Sequence, residues 1–467
     1  VRTESFDLVV IGGGSGGYAA ARTARAAGAT VAIVDEGPLG GLCILRGCMP
    51  SKTLIASSNA AFAVRRAGEF GIETAPPRPD AGAIVARKQR IVREFADYRV
   101  EQLNAFPVFT GAARFTGKTS VAVGDGLVLH AKHVIVATGS SIAAPPIPGL
   151  DAVGAIDSDA ALDLGVLPAS MIVLGGGYVA TELGQYFARL GVAVTMIIRG
   201  PHLLRAEDDD IGEALTRSFR AEGIAIETGA IISHAQRRGG KKAIVFRRGE
   251  AEHSIEADEI FHALGRIPNV AGLDLETAGI AYHPMTGIQV GPDLRTTNAN
   301  VFAIGDVTGH YALVHVAIYQ GELAARNAVT DGREFADYRL QKTHTIFTEP
   351  QIAVTGETET ELRAAGKPYR VAAYPFADHG KAISVGQTHG FVKMMADPVD
   401  GRILGAAVIG PEGSDLIHEI VVAINYNATV FEFVKIPHLH PTMAEIWTYP
   451  AEELAEAIAA ARVPAAV

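Results

Sequence analysis

The chain has 467 residues, 48% of them hydrophobic, enough for a full globular core in about three domains of ordinary size. Its 41 basic and 51 acidic residues are interleaved and leave a formal net charge of -10, which excludes a basic stripe for nucleic acid. No apolar run reaches the length of a membrane span, and the opening residues enter a strand with no signal-peptide pattern, so no membrane association and a cytoplasmic location are expected. The first residue is Val rather than Met, and a trimmed chain is expected.

The stretch Phe6 to Ile11 reads as a buried parallel strand. It runs into Gly12-Gly13-Gly14-Ser15-Gly16-Gly17 and then an alanine-rich helix from Tyr18 to about Ala27. This is a GxGxxG fingerprint in the context it needs. Gly12 makes the tight turn, Gly14 lets backbone approach a pyrophosphate, and Gly17 lets helix and strand pack closely. The diphosphate then meets amide N–H groups at the positive helix end. A second strand, Thr30 to Val34, ends at Asp35, where a carboxylate can take both ribose hydroxyls.

Cys43 and Cys48, the only cysteines, follow in Gly40-Gly41-Leu42-Cys43-Ile44-Leu45-Arg46-Gly47-Cys48-Met49-Pro50-Ser51-Lys52. A regular helix would hold residues five apart at roughly 8 to 9 Å, beyond disulfide reach, so this segment must be irregular, with Gly47 supplying backbone freedom. Pro50 suits the first turn of a helix running through Lys52, which places Cys48 at a positive helix end and Lys52 one turn on; both effects lower a thiol pKa. The pair alone leaves a structural role and a redox role both open, and two thiols make no cysteine-rich zinc site. Beside a dinucleotide fingerprint, the pair points to a redox-active disulfide next to a flavin. A helical excursion is expected from Lys52 to about Phe106.

The strand–glycine–helix pattern recurs at Ser170-Met171-Ile172-Val173-Leu174-Gly175-Gly176-Gly177-Tyr178-Val179-Ala180-Thr181-Glu182, so two dinucleotides are expected. Gly175, Gly177 and Ala180 hold the fingerprint positions. The next strand, Val192 to Ile198, ends without an acid and runs into Arg199, with Arg205 six residues later. Arginines there pair with a 2′-phosphate that an acid would repel, which favours NADPH, with NADH as the alternative and two solvated arginines as the plain one. Strands such as Gly390 to Met395 mix with helices in the remainder, and Ala451 to Arg462 reads as an alanine-rich helix.

With these residues in hand, the chain resembles the class I pyridine nucleotide-disulfide oxidoreductases, among them lipoamide dehydrogenase, glutathione reductase and mercuric reductase. The resemblance runs from about Phe6 to Pro450. It also rests on Ile135-Val136-Ala137-Thr138-Gly139, on Ala263-Leu264-Gly265-Arg266-Ile267-Pro268-Asn269, on Thr297 to Asp306, and on His438-Leu439-His440-Pro441-Thr442-Met443-Ala444-Glu445. It implies an α/β fold of two Rossmann-like dinucleotide-binding domains, for FAD and NAD(P), plus a C-terminal α+β dimerisation domain. The expected FAD domain is discontinuous, 1–147 and 270–336, with the NAD(P) domain at 148–269 and the interface domain at 337–467.

The resemblance also assigns roles. Cys48 would contact the flavin and Cys43 would exchange with substrate. Lys52 would lie against the flavin and pair with Glu182, Asp306 would bind the ribityl or phosphate side, and Thr138, Gly139 and Gly265 would line the cofactors. Tyr178 holds the place of an aromatic lid over the flavin, or simply packs in its helix. His440, from the second subunit of a homodimer, would shuttle the proton with Glu445 orienting its ring. No metal site is expected, since His438 and His440 lack a third ligand. The expected reaction passes electrons from NADPH through FAD and the Cys43–Cys48 disulfide to a small or protein-bound disulfide. Met49-Pro50-Ser51-Lys52 leans to the lipoamide and mercuric branches, while Arg199 and Arg205 depart from the NAD-using lipoamide enzymes. Mercury is disfavoured by the missing C-terminal cysteine pair and by His440. The rivals are a glutathione-reductase-like enzyme, a flavin transhydrogenase or diaphorase that leaves the cysteines idle, and a non-enzymatic flavin-bearing scaffold.

Overall fold

The computed structural model describes residues 2–330 and 332–462. They form two compact units. The first takes residues 2–54, 82–145, 265–330 and 332–341; the second takes 55–81, 146–264 and 342–462.

The first unit is built on a seven-stranded sheet. Its centre is β1 (Arg2–Ile11), hydrogen-bonded in parallel to β2 (Val31–Asp35) on one side and to the strand Leu127–Val136 on the other, which also pairs in parallel with Val301–Ala303. A central strand covered on both faces reads as a continuous apolar run, and Leu8, Val9, Val10 and Ile11 are all buried. Their side chains alternate: Val9 and Ile11 enter one core with Ala32 and Val34, whereas Leu8 and Val10 enter the other with Ile33. That second face is covered by α1 (Ser15–Ala26) and the helix Val314–Thr330 through Ala20, Ala21, Ala24, Ala324 and Ala325. Small residues let these two helices approach so closely that a Cβ on Gly321 would lie 2.3 Å from the Gly16 carbonyl oxygen.

The excursion after β2 is helical in three pieces, α2 (Gly41–Leu45), α3 (Cys48–Arg66) and α4 (Ala81–Leu103), with a short 3₁₀ turn at Ala67–Phe70.

The second unit holds a four-stranded parallel sheet in the order Ala225–Glu227, Ala193–Ile197, Ser170–Leu174, Glu259–His262. Its helix Tyr178–Arg189 is anchored by Arg189, which is 4% exposed. That guanidinium donates from Nε (3.0 Å) and Nη2 (2.6 Å) to Glu222, donates to Asn59 Oδ1 (2.7 Å), and lies over the Phe62 ring. A five-stranded antiparallel sheet, with Phe391–Ala396 and Ile403–Gly410 among its strands, packs against the helices Gly413–Asn425 and Thr448–Arg462. This is a mixed α/β architecture with two Rossmann-like sheets and an α+β interface module.

One buried charge ties these parts of the second unit together. Lys393 is 2% exposed, and its Nζ contacts Asp208 (2.9 Å), both oxygens of Asp210 (2.9 and 2.8 Å) and Glu359 (3.2 Å). Burial works against its charge, but the hydrogen bonds to Asp210 and Asp208 outweigh it and raise its pKa. Asp208 and Asp210 stand at the start of the helix Asp209–Ala221, directly after the loop that carries Arg199 and Arg205. Removing the cation strands three carboxylates, so Lys393→Ala should cost about 3 kcal/mol or more of stability, read as a lowered urea midpoint.

Candidate functional site

In the first unit the glycine turn behaves as its spacing requires. Gly12 has φ +108°, and a Cβ there would lie 2.3 Å from the Ala137 carbonyl oxygen; a Cβ on Gly17 would lie 1.9 Å from the Gly12 oxygen. α1 starts at Gly14 with no capping side chain, which leaves its first-turn N–H groups the natural donors for an anion. The Asp35 carboxylate accepts one backbone N–H on each oxygen, from Gly13 (2.7 Å) and Gly37 (2.7 Å), and each oxygen keeps a further lone pair. Gly41 has φ +76° and so favours glycine, and a Cβ on it would lie 2.6 Å from Gly14 Cα. The cysteine segment therefore rests directly on the helix terminus.

The two cysteines sit on separate helices, Cys43 in α2 and Cys48 as the first residue of α3. Gly47 between them has no left-handed φ. Its need is spatial, because a Cβ would lie 3.1 Å from the Leu42 oxygen and 3.2 Å from Cys43 Cα. Cys43 is half-buried and Cys48 exposed. A hydrogen bond to Cys48, then burial, then the charge of Cys48 push the Cys43 thiol well above the usual thiol range, while the Lys52 cation draws it down. The two sulfurs are thus close enough to interact directly. Ser51 Oγ and N both donate to the Gly47 carbonyl (2.8 and 3.1 Å) and Arg87 to the Thr53 carbonyl (3.2 Å), which secures the first turns of α3.

Two more motifs close on each other in this unit. Thr138 Oγ1 donates to the Asn269 carbonyl (2.7 Å) and Asn269 Nδ2 to the Thr138 carbonyl (2.9 Å). Ser140 Oγ donates to Asp306 Oδ2 (2.7 Å) and accepts from Arg266 Nε (2.9 Å). Gly139 and Gly265, at φ +72° and +118°, have no protein atom within 4 Å of where a Cβ would stand. Gly305 N–H donates to Gln320 Oε1 (2.6 Å) and fixes the turn that presents Asp306.

The second unit repeats the turn. Gly175 has φ +119° with a Cβ position 2.7 Å from the Ala263 oxygen, Gly177 faces open space, and Ala180 is fully buried in the helix–strand packing. Tyr178 is 54% exposed at the helix start. Glu182 is buried and accepts from the Phe347 N–H (2.9 Å). Arg199 and Arg205 are both exposed in the loop after Ala193–Ile197, a loop pinned where Leu204 N–H donates to the Gly176 oxygen (2.7 Å). Lys52 and Glu182 fall in different units.

Toward the end of the chain, His440 Nδ1 lies 2.9 and 3.0 Å from the two Glu445 oxygens. A carboxylate only accepts, so Nδ1 carries the proton and Nε2 is left as the basic nitrogen. The imidazole is 75% exposed and the carboxylate only 20%. His438, by contrast, is engaged with Glu419 (2.6 Å) and the Ile436 carbonyl (3.0 Å). Behind the dyad lies His379, 1% exposed, edge-on to Tyr449 and with neither ring nitrogen hydrogen-bonded among the described residues. Burial lowers its pKa, against the pull of Glu445, and keeps the ring neutral at neutral pH. Ser140 adjoins a recognised motif, while Gln320 and His379 carry no local signal in the sequence. Among the described residues no group of three or more His, Cys, Asp or Glu could hold a metal ion, and no helix is long and apolar enough to cross a membrane.

Comparison with known proteins matches this arrangement to a class. The family model described as pyridine nucleotide-disulphide oxidoreductase covers residues 6–321, and that of its dimerisation domain covers 343–451. The chain belongs to the pyridine nucleotide-disulphide oxidoreductase family. It is 35% identical over 451 residues to the dihydrolipoyl dehydrogenase of Chlamydia pneumoniae, covering 95% of this chain and 96% of that protein. It is 34% identical to the mercuric reductase of Streptomyces lividans, with 94% of each covered. Among solved structures it is similar to LpdA from Mycobacterium tuberculosis (TM-score 0.86, 28% identity, 97% and 100% covered). It is also similar to the HOCl-induced flavoprotein disulfide reductase RclA from Escherichia coli (TM-score 0.84, 26% identity, 96% and 99% covered). The protein is thus an oxidoreductase of a FAD-dependent family that draws electrons from a pyridine nucleotide, and its dimerisation domain points to a homodimer.

The residues present fit that cofactor. An uncapped helix terminus, glycines that allow close backbone approach and the acid at the end of β2 suit the diphosphate and ribose of a dinucleotide. A side chain at Gly41 would force the cysteine segment off Gly14 and add the strain of a left-handed φ. Gly41→Ala should therefore weaken FAD retention at least about tenfold, measured as the flavin-to-protein absorbance ratio after dialysis.

Proposed function

We propose that this protein is an NADPH-dependent flavoprotein disulfide reductase, lipoamide-dehydrogenase-like in framework, working as a homodimer in the reducing cytoplasm. The observation that carries it is the Cys43–Cys48 pair, set at the start of α3 and laid on the first glycine turn through Gly41. FAD, when bound, accepts hydride from the nicotinamide and delivers the electron pair to sulfur. Gly12, Gly14, Gly17, Asp35, Thr138, Gly139, Gly265 and Asp306 would hold it. Lys52 would lie along it, and Tyr178 would adjoin the nicotinamide nucleotide. Gly175, Gly177 and Ala180 would bind the nicotinamide nucleotide.

Two electrons cleave the Cys43–Cys48 bond to a dithiol. Cys43, as thiolate, then attacks the substrate disulfide; one thiol leaves and a mixed disulfide remains. Cys48 attacks Cys43, the internal bond re-forms, and the second thiol leaves. His440, contributed from the second copy of the chain, takes the Cys43 proton on Nε2 and returns it to the leaving sulfur, while Glu445 fixes the ring. NADPH, a proton and RSSR thereby become NADP⁺ and two RSH. Of the metal and disulfide branches among the relatives, this dyad favours the disulfide, since reducing a metal ion has no leaving thiolate to protonate.

Two measurements test this reading. Cys43→Ser should lower disulfide reduction by at least about a hundredfold while NADPH still bleaches the flavin; retained turnover would mean the cysteines are idle. Arg199 and Arg205 stand exposed after a strand with no terminal acid, which supports NADPH. Replacing both with Ala should raise KM for NADPH about tenfold or more and leave KM for NADH nearly unchanged, and equal effects on the two would assign the site to NADH.

A further inference from the structure

α4 brings one cation to the redox segment that neither fingerprint nor dyad uses. Arg99 is half-buried, its guanidinium lies 4.7 Å from the centre of the Tyr18 ring, and its Nε donates to Gln102 (3.0 Å). Its Nη1 is buried and finds no hydrogen-bond partner among the described residues. Tyr18 belongs to α1, whose starting Gly14 meets Gly41, two residues before Cys43, and Tyr18 and Leu39 pack on one core. Arg99 is thereby carried to the side of the cysteine segment. Burial lowers its pKa, and the charges of Tyr18, then Cys43 and Tyr98, act in the opposite direction.

A buried cationic donor without an acceptor is costly, and the cost falls when an anion arrives. Phe95 stands four residues earlier on the same helical face and is 45% exposed, which adds an apolar surface next to the charge. Asp97 and Glu101 are two residues away on either side and point from other faces of α4. Arg46, exposed between the two cysteines, adds a second positive charge.

We propose that Arg99 gives the Cys43 side of the redox pair a fixed positive charge, so that the disulfides this site takes best carry a carboxylate or another anionic group near the sulfur–sulfur bond. The substrate class rests on the reading of Cys43 as the exchanging thiol; the charge at Cys43 does not.

The test uses the reduced holoenzyme. Alkylation of Cys43 by anionic iodoacetate and by neutral iodoacetamide is followed by peptide mapping, and the ratio of the two rates reports the local charge. Arg99→Gln should lower that ratio at least about threefold, and Arg99→Lys should restore most of it. In turnover with NADPH, Arg99→Gln should raise KM for the dianionic 5,5′-dithiobis(2-nitrobenzoate) and leave KM for 2-hydroxyethyl disulfide unchanged. An unchanged alkylation ratio overturns the proposal, as does an equal loss on both disulfides. A lowered ratio in a protein that, unsubstituted, reduces neither disulfide supports the anion site and overturns the disulfide reductase reading instead.

Discussion

The contact between Gly14 and Gly41 is the constraint on which the first unit depends. With only a glycine on each side, the backbone after β2 lies directly on the start of α1. The helix terminus that suits an anion and the segment that carries the sulfurs thereby become neighbours, although the sequence separates them by a whole helix and strand. Breaking α2 from α3 at Gly47 then turns Cys43 back toward Cys48, a geometry that one continuous helix would forbid. The fold does its chemical work by permitting close approach, and its indispensable residues are those with the least side chain.

What was legible in the sequence is what is local. Both strand–glycine–helix turns, the acid after β2 and the His440–Glu445 pair are encoded within short windows whose spacing dictates geometry, and the structure places them accordingly. Gly47 is needed for its lack of a Cβ rather than for conformational freedom, because the tight spot is created by the turn it enters. Lys393 illustrates what a sequence cannot disclose. Its partner Asp208 lies 185 residues away, and nothing around an apparently ordinary strand lysine signals three carboxylates. Arg99 and His379 were hidden for the same reason: a mid-helix arginine and a loop histidine acquire meaning only from neighbours supplied by distant segments.

Electrostatics in the two units answer different needs. Around the sulfurs, the neighbouring thiol and burial raise the Cys43 pKa, and the Lys52 cation opposes them. Around the dyad, the carboxylate is mostly covered while the imidazole protrudes, so the ring is oriented from within and offered outward. Beside it, burial works against a charge on His379, while Glu445 pulls the other way.

The scarcity of sulfhydryls has a consequence of its own. With Cys43 and Cys48 the sole cysteines, no spectator thiol exists to form a wrong bridge or to drain reducing equivalents elsewhere. Oxidants in the surroundings then find a single pair of thiols in this chain to join. Within this chain, disulfide formation has one possible pairing and no rival.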